Sequence, residues 1–245
     1  MSPTIPQSMA AEAPQRHNTV TQKPAVDLFL EGLFAKISVA PLPDLPTVLI
    51  SGAVRCGKTM VARRVALRGG FYHLRTDEIR NQTYLNAPES EKRRIAKYVY
   101  RRILLQFPKG VLIDGTAVMD APCELPVWAH ARGMAFFAIG YSFDTPEAKQ
   151  RDLLAYRAQN ACWTQRSKSD DEMLRFARRL IRRSKDIKQY CEAHSLPYFD
   201  LDSARFDPER ARIVREIEHA VKMRHTEQTR GGQQSGLIAR LKFWR

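Results

Sequence analysis

Residues Gly52-Ala53-Val54-Arg55-Cys56-Gly57-Lys58-Thr59 read G-x-x-x-x-G-K-T. In this pattern successive backbone N–H groups turn inward and cradle a polyphosphate. Lys58 offers a point charge for the outer phosphates, and the Thr59 hydroxyl is a ligand for Mg²⁺. A helix opening near Lys58 adds the positive end of its dipole. The nucleotide contacts are expected to run from Gly52 to Met60. Two other readings stay open: a chance match, or a loop that holds nucleotide without doing chemistry.

Further groups at the ends of apolar runs extend this chemistry. Asp77 and Arg80 follow the run Phe71 to Leu74 and share one face at a helix start. A carboxylate there can take the proton of a substrate hydroxyl, and a guanidinium can fork onto a phosphate. Thr76 or Asp77 acting only as a helix cap is the alternative. Asp114 closes the apolar run Val111-Leu112-Ile113. It is suited to hold the water shell of Mg²⁺, or else to cap the Asp-Gly turn. Arg151, Arg157, Arg166 and Lys168 cluster around a helix end and a polar loop. Such cations can close over a transferred phosphate, or simply be a solvated basic face. Arg175, Arg178, Arg179, Arg182, Arg183, Lys185 and Lys188 lie on one long helix. They read as a solvated face or as a track for a nucleic-acid backbone; no series of aromatic residues is interleaved on which bases would stack.

The elements that must position these groups alternate between two periodicities. Strands are expected at 47–50, 71–74, 111–113, 134–141 and 198–201. Helices are expected at 60–67, 89–106, 123–132, 145–159, 169–194 and 208–223. Apolar strands alternating with helices predict a parallel sheet covered on both faces. Ligands in such sheets sit beyond the carboxyl ends of the strands, where the loop, Asp77, Asp114 and Asp202 all fall. Residues 1–24 are rich in Pro, Ser, Thr, Gln and Ala and are expected to be a disordered tail. Residues 25–45 predict an amphipathic helix and a Pro-rich connector, 46–223 the main domain, and 224–245 a flexible basic tail.

Composition sets outer bounds. The 245 residues are 44% hydrophobic, enough for a sizeable core, and carry a formal net charge of +14. That balance favours polyanionic partners: nucleotides, nucleic acid or an acidic membrane surface. The four cysteines are scattered without a C-x-x-C pair, which suggests neither a zinc site nor a disulfide framework and fits a reducing, cytoplasmic setting. Cys56, beside a helix N-terminus, is placed where a thiol pKa can fall. No apolar run approaches the ~20 residues that span a bilayer, and Met1 to Pro24 lack the basic start and apolar core of a secretory signal. Nothing in the sequence speaks to oligomeric state.

Taken together these motifs resemble the P-loop small-molecule and polynucleotide kinases, a group related to adenylate kinase, polynucleotide 5′-kinase, chloramphenicol phosphotransferase and zeta toxin kinases. The resemblance covers roughly residues 46–222. It rests on the loop, on Thr76-Asp77-Glu78-Ile79-Arg80, on Val111-Leu112-Ile113-Asp114 with Thr116, on Thr145-Pro146-Glu147 with Arg151, and on Leu196 to Asp202. It implies a P-loop NTPase three-layer α/β sandwich with a parallel sheet of about five strands and a small helical lid. It implies transfer of the γ-phosphate of ATP–Mg²⁺ to a hydroxyl on a nucleoside, small metabolite or nucleic-acid end. By the same resemblance Lys58 and Thr59 bind phosphate and Mg²⁺, Asp77 activates the acceptor and Arg80 orients it. Asp114 stands on the Mg²⁺ side, Arg151 and Arg157 are lid arginines, and the turn at Leu201-Asp202-Ser203 packs the adenine. The chain departs from the family at Arg55, where Gly is common, at Cys56, where Ser is common, and at Gly115-Thr116-Ala117 after Asp114. No Asn/Thr-Lys-x-Asp guanine-reading motif is present, which points to ATP over GTP. The alternative function is an ATP-binding regulatory or nucleic-acid-binding protein without turnover.

Overall fold

The computed structural model describes residues 22–120, 124–159, 169–202 and 206–242. Its centre is a parallel sheet of β1 (Val48–Gly52), β2 (Tyr72–Arg75), β3 (Val111–Asp114), β4 (Ala135–Gly140) and β5 (Tyr198–Asp200). The strand order is β2-β3-β1-β4-β5. Every residue of β1, β3 and β4 is buried, as parallel strands covered on both faces require. Period-two alternation sends successive side chains to opposite layers. Leu49, Ile113 and Phe136 join one core with α1 (Gln22–Ser38), α4 (Glu89–Gln106) and α6 (Glu124–His130). Val48, Ile50, Leu112 and Phe137 join the other with α2 (Lys58–Gly69), α8 (Asp170–Ala193) and α9 (Phe206–Lys242). This is the three-layer α/β sandwich that the sequence implied.

β1 is the central strand and leaves the sheet at the point where connections depart to either side, so a crevice opens beyond its carboxyl end. The close approach of β1 and β4 is what demands glycine there. Gly52 has φ 142°, and an added Cβ would lie 1.9 Å from the Ile139 carbonyl oxygen. No side chain can yield, because the obstacle is backbone. Gly52→Ala should therefore cost about 3 kcal/mol or more of unfolding free energy in a denaturant titration, with the loss visible whether or not nucleotide is present.

The remaining elements are α3 (Thr76–Thr83), the short α5 (Ala117–Asp120), which the sequence pattern did not reveal, and α7 (Pro146–Gln159). α1 packs through Val26, Leu30 and Ile37, all buried. Its outer turn is held where the Tyr98 hydroxyl donates to Asp27 Oδ1 at 2.5 Å. Gln22 to Pro24, expected in the tail, already belong to this helix, whereas residues 1–21 lie outside the described residues.

One boundary is corrected. Composition put a flexible tail at 224–245, but α9 continues helical to Lys242 through Gly231 and Gly232. The first turns beyond Met223 are anchored: Arg224 donates to the His130 and Gly133 carbonyls at 2.7 and 3.0 Å, and Gln228 to Gly133 at 2.8 Å. Burial, and then the Arg224 charge, hold the His130 pKa below its ordinary 6.5. As pH falls through 6.5 the unfolded chain takes up this proton before the native state does, so stability is lost on the acid side and regained toward neutrality. Arg224→Ala should shift the His130 titration upward toward 6.5 in an NMR pH series and shrink that acid loss.

Candidate active site

The phosphate loop joins β1 to α2, and its shape is fixed from outside. Arg55 has φ 63° and Gly57, at the N-cap of α2, φ 78°. These left-handed residues coil the chain into the concave turn that presents amides to an anion. Two side chains grip successive carbonyls on its outer surface. The buried Tyr141 hydroxyl donates to Val54 O at 2.5 Å, and Lys149 Nζ donates to Arg55 O at 3.5 Å. A carbonyl held outward leaves the N–H of the same peptide facing the opposite way, toward the hollow of the loop.

In front of the loop lies a cleft of about 750 Å³. Val54, Arg55, Gly57, Lys58, Thr59 and Met60 line it from the loop side, Arg75 and Asp77 from the end of β2 and the start of α3. Its opposite wall is α7, which contributes Lys149, Asp152, Leu153 and Tyr156, and Arg210 of α9 completes it. Lys149, Asp152, Leu153 and Tyr156 recur at i, i+3, i+4 and i+7, with Ala155 at the edge of that helical face.

Of the residues expected from sequence, the structure brings together Lys58, Thr59 and Asp77. Asp77 does not cap α3: the N-cap is Arg75, with no side-chain cap bond. Its carboxylate is mostly exposed in the cleft and pairs with Arg80 at 3.6 Å. Arg80 itself does not line the cleft. Gly52, Ala53 and Cys56 form the back of the loop rather than the cleft wall, the last two with exposures of 1% and 0%. Burial pushes the Cys56 thiol above its usual range, against the smaller pull of Lys58. The fall that a helix start can bring to a thiol does not occur here, because loss of water outweighs it, and Cys56 serves as a small buried side chain.

Asp114 is 2% exposed at the end of β3. Its Oδ1 lies 3.4 Å from His73 Nε2, while Oδ2 and the nearby buried Thr76 Oγ1 have no hydrogen-bond partner among the described residues. Two orphaned oxygens in a dry place are a donor-poor spot of the sort that a hydrated cation satisfies. They lie behind the cleft wall, not on it. Thr76 is pressed against Gly115 (φ 147°), where a Cβ would fall 1.6 Å from Thr76 Oγ1. The Gly at 115, a departure from the family pattern, therefore makes room for this hydroxyl.

Two further expected residues do not line the cleft, and others fall outside the described residues. Arg151 is exposed and two residues out of phase with the cleft face of α7. Asp202 is exposed and not among the cleft residues. The side chain of Arg157, and Arg166, Lys168 and Ser203, lie outside the described residues. Sequence reading missed Lys149, which is only 4% exposed and sits with its ammonium 3.7 Å from the Tyr141 ring centroid. Burial lowers its pKa, with Asp144 and Asp152 opposing. A signal was present: Lys149 lies four residues before Leu153 on the apolar face of a helix, where a lysine is out of place. Arg55, where the family commonly has Gly, lines the cleft and carries its guanidinium 5.0 Å from the Tyr156 ring centroid, against α7.

No family model matches the chain, and no curated protein matches it. Among solved structures it is similar to a shikimate kinase from Bacteroides thetaiotaomicron, at 15% identity over 71% of this chain and 99% of that one, TM-score 0.49. It is similar to a structure from the PezAT chromosomal toxin–antitoxin system of Streptococcus pneumoniae, at 13% identity over 84% and 96%, TM-score 0.47. A shikimate kinase from Acinetobacter baumannii in complex with shikimate matches at 15% identity over 71% and 93%, TM-score 0.44. Such values decide neither activity nor substrate. The fold rests on the strand order and on the loop between β1 and α2, which make this a phosphate-loop α/β domain.

Proposed function

We propose that this protein is an ATP-dependent phosphotransferase that moves the γ-phosphate of ATP–Mg²⁺ to a hydroxyl acceptor. The observation that carries this reading is the shared cleft: Lys58 and Thr59 on one side, the uncapped carboxylate of Asp77 on another, Lys149 opposite. The loop amides and Lys58 hold the phosphate chain, and Lys149 holds the loop in shape through the Arg55 carbonyl on its outer side. Asp77 accepts the acceptor's proton as its oxygen attacks, and Arg80, 3.6 Å away, holds that carboxylate in its orientation. Mg²⁺, when bound, would neutralise phosphate charge, and Thr59 would hold it through its hydroxyl, with the partnerless Asp114 Oδ2 behind the wall as a candidate acceptor for its water shell.

Incubation with γ-labelled ATP and a panel of sugars, hydroxy acids, nucleosides and 5′-hydroxyl oligonucleotides tests this. Label transferred to one class of hydroxyl is the expected result. Bound ATP with no transfer to any of them would remove the enzymatic reading and leave a nucleotide holder.

A further inference from the structure

We propose that the outward face of α8 binds duplex nucleic acid through its phosphate backbone, at a surface separate from the cleft. Arg175, Arg178, Arg179 and Arg182 are all exposed and, at 100° per residue, fall within an arc of about 100° on the helix. No Asp or Glu interrupts the chain from Arg175 to Lys185.

What marks this face is four neighbouring arginines with no carboxylate in ion-pair reach among the described residues. Several basic residues elsewhere do have one: Arg94 with Glu91 at 3.2 Å, Lys97 with Glu124 at 2.6 Å, Arg212 with Glu209 at 2.8 Å and Glu216 at 2.6 Å. Among the described residues none of the four α8 arginines has an ion pair, Asp186 one turn beyond Arg182 included, and Arg179 has only the half-buried Phe176 ring, its centroid 5.8 Å away. Among the described residues these four arginines thus stand together without an ion pair, between Asp171 and Asp186, along one straight rod of a chain with a net charge of +14.

The occupant follows from shape and chemistry. From Arg175 to Arg182 the helix rises about 10 Å, a length that spans roughly three phosphates of one duplex strand. Guanidinium forks match phosphate oxygens two at a time. The apolar face of α8 is buried in its own core through Met173, Ala177, Leu180 and Ile181, so nothing remains to enter a bilayer. The ring within this stretch, Phe176, packs against the same core. It is not free to stack unpaired bases, which favours a duplex, read by backbone and not by sequence, over a single strand. The inference is independent of phosphoryl transfer in the cleft.

Fluorescence anisotropy with a labelled 20-base-pair DNA duplex of mixed sequence tests it, with a single strand and phosphatidylserine vesicles as parallel arms. Duplex binding is expected at 50 mM salt, tighter than to single strand or vesicle, with a log–log salt slope of about −3 to −4 for four phosphate contacts. Replacing Arg175, Arg178, Arg179 and Arg182 together by Gln should weaken it at least tenfold and flatten the slope. Replacing the paired cations Lys92, Arg94, Lys97 and Arg212 by Gln should change it less than threefold. On the unmodified protein, duplex should shield the α8 arginines from phenylglyoxal, which keeps the test valid if the fourfold variant misfolds. Absence of duplex binding, equal losses in both variants, preference for strand or vesicle, or unshielded arginines would each overturn the proposal.

Discussion

Asp77→Asn should lower kcat by about 10²- to 10⁴-fold while the affinity for ATP–Mg²⁺ changes by less than about threefold. The amide keeps the shape of the carboxylate but cannot take the proton of an attacking hydroxyl. Because Asp77 is mostly exposed and its pair with Arg80 lies at the surface, the melting temperature should stay where it is. Steady-state kinetics on the acceptor identified by labelled transfer, with calorimetric titration of nucleotide, separate the two effects. A regulatory nucleotide holder would behave differently: its partner binding would respond to Lys58→Ala and ignore Asp77→Asn.

Lys149→Met should lower the affinity for ATP about 10- to 100-fold and leave the fold as stable as before, or more so. Both halves have one cause. The ammonium is buried to 4% exposure and its pKa is lowered chiefly by that burial, so the native state bears a desolvation cost that a thioether removes. The same ammonium grips Arg55 O from outside the loop, and the residue lines the cleft. Removing a charge-assisted hydrogen bond that shapes the phosphate loop costs roughly 1.5–3 kcal/mol. Lys149→Arg should restore part of the binding. A purely structural lysine would give the opposite pattern, a drop in melting temperature with nucleotide affinity kept.

The contrast between Lys149 and Arg151 shows where sequence reading runs out. Both lie in α7, and by composition Arg151 is the better candidate for a phosphate clamp. Which face of α7 meets the loop is decided by the burial of Leu153 and by packing against α8, a tertiary matter that no local spacing reveals. Gly52, Lys58 and Thr59 were legible because a phosphate loop is a local structure: strand, turn and helix are contiguous. Asp77 was legible for the same reason, since it follows β2 directly. Asp202 was not, because the position of the turn after β5 depends on how β5 pairs with β4. The continuation of α9 past Gly231 was hidden too. Glycines weaken a helix by about 1 kcal/mol each but do not forbid it, and the anchoring of Arg224 and Gln228 on the β4 approach involves residues some ninety positions away. For Cys56 the dipole at the start of α2 was visible in the sequence, whereas the complete burial that decides its pKa was not.

A crystal structure with a non-hydrolysable ATP analogue and Mg²⁺ tests the central claim most directly. The account predicts the triphosphate on the amides of residues 54–59, Lys58 on its outer oxygens, and the Asp77 carboxylate within about 6 Å of the terminal phosphorus, room for one hydroxyl between them. A nucleotide bound elsewhere, or a terminal phosphate facing away from Asp77, would contradict it.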